Sequence, residues 1–146
     1  MVKFKTFMQK IVICGSLVYK NEILWFAKEL RKLGAKFVID PGFENISEDI
    51  IETCDEKERL RKFPLYKQQL PLMAVSYVNK IRKADIVYFY NRNQRLGINT
   101  TMELGIAVGL NKTIVFYEED KNEPCRQIFC DLIINNPEDL AELVLK

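Results

Sequence analysis

The sequence predicts an α/β domain, a five-stranded parallel sheet with helices on both faces. Three observations carry this. The runs "KIVICGS" (10–16), "DIVYFY" (85–90) and "KTIVFYE" (112–118) are apolar on consecutive residues, as strands buried on both faces are. Stretches with helical spacing of apolar residues separate the runs. Strand and helix therefore alternate, and parallel strands need such crossover helices.

The elements follow in order. The first strand, 10–16, ends at Gly15 and Ser16. In "NEILWFAKELRKLG" (21–34), Ile23, Phe26, Ala27, Leu30 and Leu33 share one helix face, and Gly34 stands where a C-terminal cap belongs. "KFVID" (36–40) reads as the second strand, closed by the turn Asp40-Pro41-Gly42. Ser47 is placed to cap one helix through "EDIIETCDEKERLRKF" (48–63), which must stop before Pro64. Pro71 is placed to open the next, "PLMAVSYVNKIRKA" (71–84). Then come the third strand, a polar loop at 91–98, a helix to about Leu110 and the fourth strand. "DLII" (131–134) is the fifth strand, and Asn136-Pro137 starts the last helix. No repeat or low-complexity segment interrupts the pattern, so residues 1–146 read as a single domain.

Composition narrows the function classes. With 22 Lys plus Arg against 20 Asp plus Glu, the net charge of +2 gives no footprint for nucleic acid or a membrane surface. The basic cluster "KERLRK" (57–62) includes an acid and reads as a solvated helix face. Histidine is absent, which removes Ser-His-Asp and Cys-His catalysis and His-ligated metal. Cys14, Cys54, Cys125 and Cys130 form no CxxC, so no metal is expected and free thiols in a reducing, cytoplasmic setting are. The first twenty residues place basic residues before an apolar run, but Gly15, Ser16 and Lys20 break it, so a buried strand is expected rather than a signal peptide. No run approaches the length of a membrane span.

In parallel sheets ligands bind beyond the carboxyl ends of the strands. The candidate loops are 14–21, 40–46 and 91–102. In the first, Cys14-Gly15-Ser16 offers a glycine for close approach and a hydroxyl, without the spacing of a dinucleotide or Walker loop. In the third, Asn91, Arg92, Asn93, Gln94, Arg95, Gly97, Asn99, Thr100 and Thr101 crowd the start of a helix. Glu103 follows them, and two readings stay open for it. Thr100-x-x-Glu103 fits a capping box, in which the carboxylate only satisfies backbone. Alternatively, a first-turn carboxylate kept ionised by the helix dipole can attack a sugar carbon of oxocarbenium character. Asp85, opening the third strand, reads as structural at the amino end of the sheet.

The blocks "IVICGS", "ADIVYFYN" and "GINTTMELGIAVGLNKTIV" resemble the nucleoside 2-deoxyribosyltransferase superfamily over about residues 10–117. "CGS" resembles its deoxynucleoside 5′-monophosphate N-glycosidase branch, and "GINTTMELG" an uncharacterised subgroup. The resemblance implies a flavodoxin-like three-layer fold. It also implies cleavage of an N-glycosidic bond, or deoxyribosyl transfer, with Glu103 as nucleophile and Cys14, Gly15, Ser16, Asn91, Gly97, Asn99, Thr100 and Thr101 about the substrate. It implies no metal or redox cofactor, a nucleoside or nucleotide as the small-molecule partner, and a homodimer or larger. The chain departs from the family in lacking a tyrosine on the first strand, where Ile11, Val12 and Ile13 stand. It also lacks an acid at 76–79, where the family's proton donor stands, and an arginine after "CGS". These losses keep a second reading open: a non-catalytic module binding a nucleotide or an ADP-ribose-like ligand.

Overall fold

The computed structural model describes residues 8–42, 46–53 and 55–146. Its centre is a five-stranded, all-parallel sheet in the order β2-β1-β3-β4-β5, with helices on both faces. The strands are β1 (Ile11–Gly15), β2 (Val38–Ile39), β3 (Ile86–Tyr90), β4 (Thr113–Phe116) and β5 (Leu132–Ile133). This is the flavodoxin-like arrangement expected, and its strand order reverses between β1 and β3. The register pairs Ile11 with Ile86 and Gly15 with Tyr90, so both strands end at one level.

Alternation sorts the central strands onto two cores. Ile11, Ile13, Ile86, Tyr88 and Tyr90 face one side, and Val12, Cys14, Val87 and Phe89 the other. On the first side lie α1 (Lys20–Lys32), through Ile23, Phe26, Ala27 and Leu30, and α7 (Pro137–Leu145), through Leu140, Ala141 and Val144. Gly34 follows α1 at φ +106, the left-handed conformation its capping role requires. On the second side lie α5 (Ile98–Gly109) and the end of α4 (Pro64–Lys83), through Leu104, Ala107, Tyr77 and Ile81. The start of α4 belongs to the first core through Tyr66. Among the described residues, no helix is long and apolar enough to cross a membrane.

Several local expectations hold. Asn136 Oδ1 accepts from the Asp139 amide at 2.8 Å, and Pro137 is the first helical residue of α7. Asn136→Ala is therefore expected to lower stability by about 1 kcal/mol, read from the urea midpoint. Asp85 accepts from the Lys10 amide at 2.8 Å, clamping the amino end of the sheet.

Others are corrected. The single helix expected over 48–63 is two, α2 (Glu48–Glu52) and α3 (Glu56–Lys62). Ser47 is at the N-cap position of α2 without a side-chain cap bond, while Asp55 accepts from the Lys57 amide and starts α3. The next helix opens at Pro64, not Pro71, because either proline suits a first turn and Phe63 is already non-helical. Pro71 then sits inside α4, where the missing N–H removes one helical hydrogen bond. Packing at both ends, through Tyr66 and Tyr77, carries the helix across it. "KERLRK" is not wholly solvated. Arg59 is buried, bonding the Ile50 carbonyl at 3.0 Å and Glu56 at 2.9 Å. A short helix α6 (Pro124–Gln127), unforeseen from pattern, follows β4.

Candidate active site

β1 and β3 end side by side at the point where strand order reverses, which opens a crevice in such sheets. Cys14 is the penultimate residue of β1 and fully buried on the α4–α5 side. α5 crosses this end and brings in Glu103 from its second turn. The helix starts at Ile98 with Gly97 as N-cap, and Thr101 donates to the Gly97 carbonyl at 2.9 Å. That corrects both the expected first-turn position and the capping box. Thr100 is inside the helix and buried with Leu104 and Ala107, so it caps nothing. The apolar stripe on the inner face of α5 pulls the helix start three residues back from Thr100.

The electrostatics of Glu103 differ accordingly. Burial pushes its carboxyl from the ordinary 4.5 up to about 7, and a hydrogen bond with the Cys14 thiol opposes this only in part. Dipole stabilisation at a first turn is not the governing effect; desolvation is. The Cys14 thiol is pushed well above its usual range, first by burial and then by the charge of Glu103. Tyr77, reaching in from α4, donates to the Ile13 carbonyl and lies beside Cys14. Its hydroxyl is pushed up by burial first, then by the charges of Cys14, Glu103 and Asp40. Three elements thus bring a carboxyl, a thiol and a phenol together around the end of β1.

The other expected residues divide. Gly15 ends β1, but its need for glycine comes from packing: a Cβ there would stand 2.6 Å from Ile23 Cδ1 and 3.3 Å from Tyr90 Cβ. Gly15→Ala is expected to cost about 1–2 kcal/mol through overpacking, measured by denaturant unfolding. The Ser16 hydroxyl accepts from the Val18 amide at 3.4 Å and is half-buried at the rim. Gly97 is exposed, and Asn99 is half-buried one helical turn before Glu103 on the same face. Thr101 accepts from Arg126 at 3.4 Å, and Arg126 also pairs with buried Asp120 at 2.7 Å, tying α6 to the start of α5. Asn91 is committed to the scaffold. Its amide donates to the Glu118 carbonyl at 2.8 Å and accepts from the Glu118 amide at 3.0 Å, bridging the segments after β3 and β4. Cys14 has no exposed surface, so it meets Glu103 rather than a ligand.

Sequence reasoning missed Tyr77, and it placed Asp40 in a turn and a candidate loop without giving it a role. Residues 76–79 hold no acid, but Tyr77 places a hydroxyl there. The spacing of Tyr77 and Ile81 on one helix face was the available signal. Asp40 follows β2, where Arg31 at 3.0 Å and the Gly42 amide at 2.9 Å hold its two oxygens. In the second loop, 43–45 fall outside the described residues, as does Cys54. Among the described residues, no cluster of three or more His, Cys, Asp or Glu is placed to hold a metal ion. Compared with known proteins, the chain matches no family model, and no curated protein matches it significantly.

Proposed function

We propose that the chain cleaves the N-glycosidic bond of a nucleoside or nucleoside monophosphate, or transfers its deoxyribosyl group, with Glu103 as nucleophile. One observation carries the reading. Glu103 presents a half-buried carboxyl at the β1–β3 switch point, where such sheets bind ligands. Desolvation that makes its charged form unfavourable also leaves that form more reactive toward a cationic sugar carbon. In the reaction, a Glu103 oxygen bonds to the anomeric carbon as the C–N bond breaks and its electron pair leaves with the base. The base takes a proton from solvent, since no second carboxyl group on α4 faces the site. Water, or a second base, then displaces Glu103 from the sugar.

The resemblance of the "MELG" block supports this reading, and Tyr77 brings to the end of β1 a hydroxyl that the strand itself lacks. Asn99, Gly97 and Ser16 border the same end and are proposed substrate contacts. Leu65, Leu72 and Val75 on α4 and Ile98 and Met102 on α5 are exposed, an apolar surface that supports a homo-oligomer. Free Cys14, Cys125 and Cys130 support a cytoplasmic setting.

One observation favours the second reading, a binding module for a nucleotide or an ADP-ribose-like ligand. Asp40, the other carboxylate in electrostatic reach of Tyr77, has both oxygens engaged by Arg31 and the Gly42 amide, so it does not stand in for the acid missing at 76–79. Incubation with a panel of nucleosides and their 5′-monophosphates, followed by chromatography for free base, decides. Base release supports the enzyme. A rise in melting temperature with one ligand and no release supports the module.

A further inference from the structure

We propose that Cys14 is a positioning residue for Glu103: its thiol donates a hydrogen bond to the carboxylate and aims the attacking oxygen. This rests on Glu103 being the reacting group. The geometry leads to it from three sides. Cys14 is fully buried at the end of β1, on the side of the sheet that α5 covers. Its thiol lies beside the Glu103 carboxyl and, behind it, the Tyr77 hydroxyl. Tyr77 donates to the Ile13 carbonyl, the carbonyl just before Cys14, so α4 fixes the backbone that carries the thiol.

The proton count gives each group its role. Tyr77 has one proton and directs it toward Ile13 and the Cys14 sulfur, which leaves the thiol proton for Glu103. Burial and the neighbouring carboxylate hold the thiol protonated well above its usual range, so it remains a donor wherever Glu103 titrates. A donor to the charged form lowers a carboxyl pKa, and here the thiol works against a larger upward push from burial. The groups facing Glu103 are few. β1 contributes Cys14, α4 contributes Tyr77, and Asp40 beyond β2 acts on Tyr77. β3 and β4 bring the uncharged rings of Phe89 and Phe116 to this core. Among the described residues, Cys14 is thus the group that favours the ionised carboxyl, and a thiol, being a weak donor, lets it detach easily to attack.

The test compares wild type with Cys14→Ala and Cys14→Ser. If Cys14 acts as stated, Cys14→Ala moves the acid limb of the base-release rate to higher pH. It also lowers kcat at pH 6 by about tenfold with little change in KM. Cys14→Ser, which keeps a donor, restores the limb to the wild-type position or below it. A pH limb unmoved in Cys14→Ala, or a serine variant as impaired as the alanine one, overturns the proposal. Infrared spectroscopy of the protein without substrate gives a readout independent of turnover. The carboxylic C=O band of Glu103, assigned by its loss in Glu103→Gln, is expected to persist to higher pH in Cys14→Ala than in wild type. Should Cys14→Ala fail to fold, the Cys14 S–H band must shift as pH ionises Glu103 in wild type and stay fixed in Glu103→Gln. Absence of that shift overturns the hydrogen bond. Shifted bands without any base release leave the positioning intact and remove the catalytic reading instead.

Discussion

Glu103→Gln is expected to reduce base release by a factor of about a hundred or more, because the amide cannot form the covalent link to the sugar. The substitution is clean for a structural reason. Glu103 is in the second turn of α5, behind an N-cap at Gly97, so it does no capping that the change could disturb. Glutamine keeps the size and an oxygen able to accept from the Cys14 thiol. Loss of activity with an unchanged fold would therefore report chemistry and not collapse. Any glycosyl-enzyme adduct trapped in the wild type and resolved by mass spectrometry should map to Glu103. A variant that releases base at the wild-type rate removes the nucleophile assignment. If neither protein releases base while a nucleotide raises the melting temperature of both, the chain binds without turnover.

The sheet was legible because its code is local. Consecutive apolar residues, β-branched from Ile11 to Ile13 and β-branched then aromatic from Ile86 to Tyr90, suit short strands covered on both faces, and the structure covers them so. Gly34 and Asn136 were legible for the same reason, since caps are written within four residues of the helix end. The site was legible only in part. Thr100 and Glu103 match a capping box as well as a motif can, but the inner stripe of α5 includes Thr100 and moves the true N-cap to Gly97. Spacing along the chain could not decide between them, because the deciding contact is with the sheet. The same holds for Asn91. A polar residue after a strand looks available to a ligand until the Glu118 backbone, 27 residues away, takes both ends of its amide. Tyr77 is the converse. It sits on an ordinary amphipathic face, and only the crossing of α4 over β1 makes its hydroxyl part of the site. Arg59 departs from the pattern because a basic run is solvated unless a neighbouring helix end, here the Ile50 carbonyl, turns one member inward.

The second large effect is on stability, and its sign separates a functional glutamate from a structural one. The folded state holds the Glu103 carboxyl at about 7 against the ordinary 4.5, so over that interval the folded chain binds more protons than the unfolded chain. Stability must therefore fall as pH rises through the interval, and the loss is complete above it. At ~1.4 kcal/mol per pH unit the gap amounts to at most ~3.5 kcal/mol, and partial exposure of the carboxyl lowers what is realised. Glu103→Gln is neutral at every pH and escapes the loss. Well below pH 4.5, where Glu103 is protonated in both states, the variant and the wild type should have similar stability. At pH 8 the variant is expected to be more stable by about 2–3 kcal/mol, measured as paired urea unfolding curves at the two pH values. Comparing the two proteins at each pH cancels the titration of every other group. A glutamate retained for a cap or an ion pair would behave oppositely, with its removal costing stability at pH 8 and little in acid. An equal or less stable Glu103→Gln at pH 8 would thus contradict the buried, unfavourably charged carboxyl on which the nucleophile reading rests. A variant more stable yet inactive would show a carboxylate kept at the expense of the fold, as expected of a group selected for its reactivity.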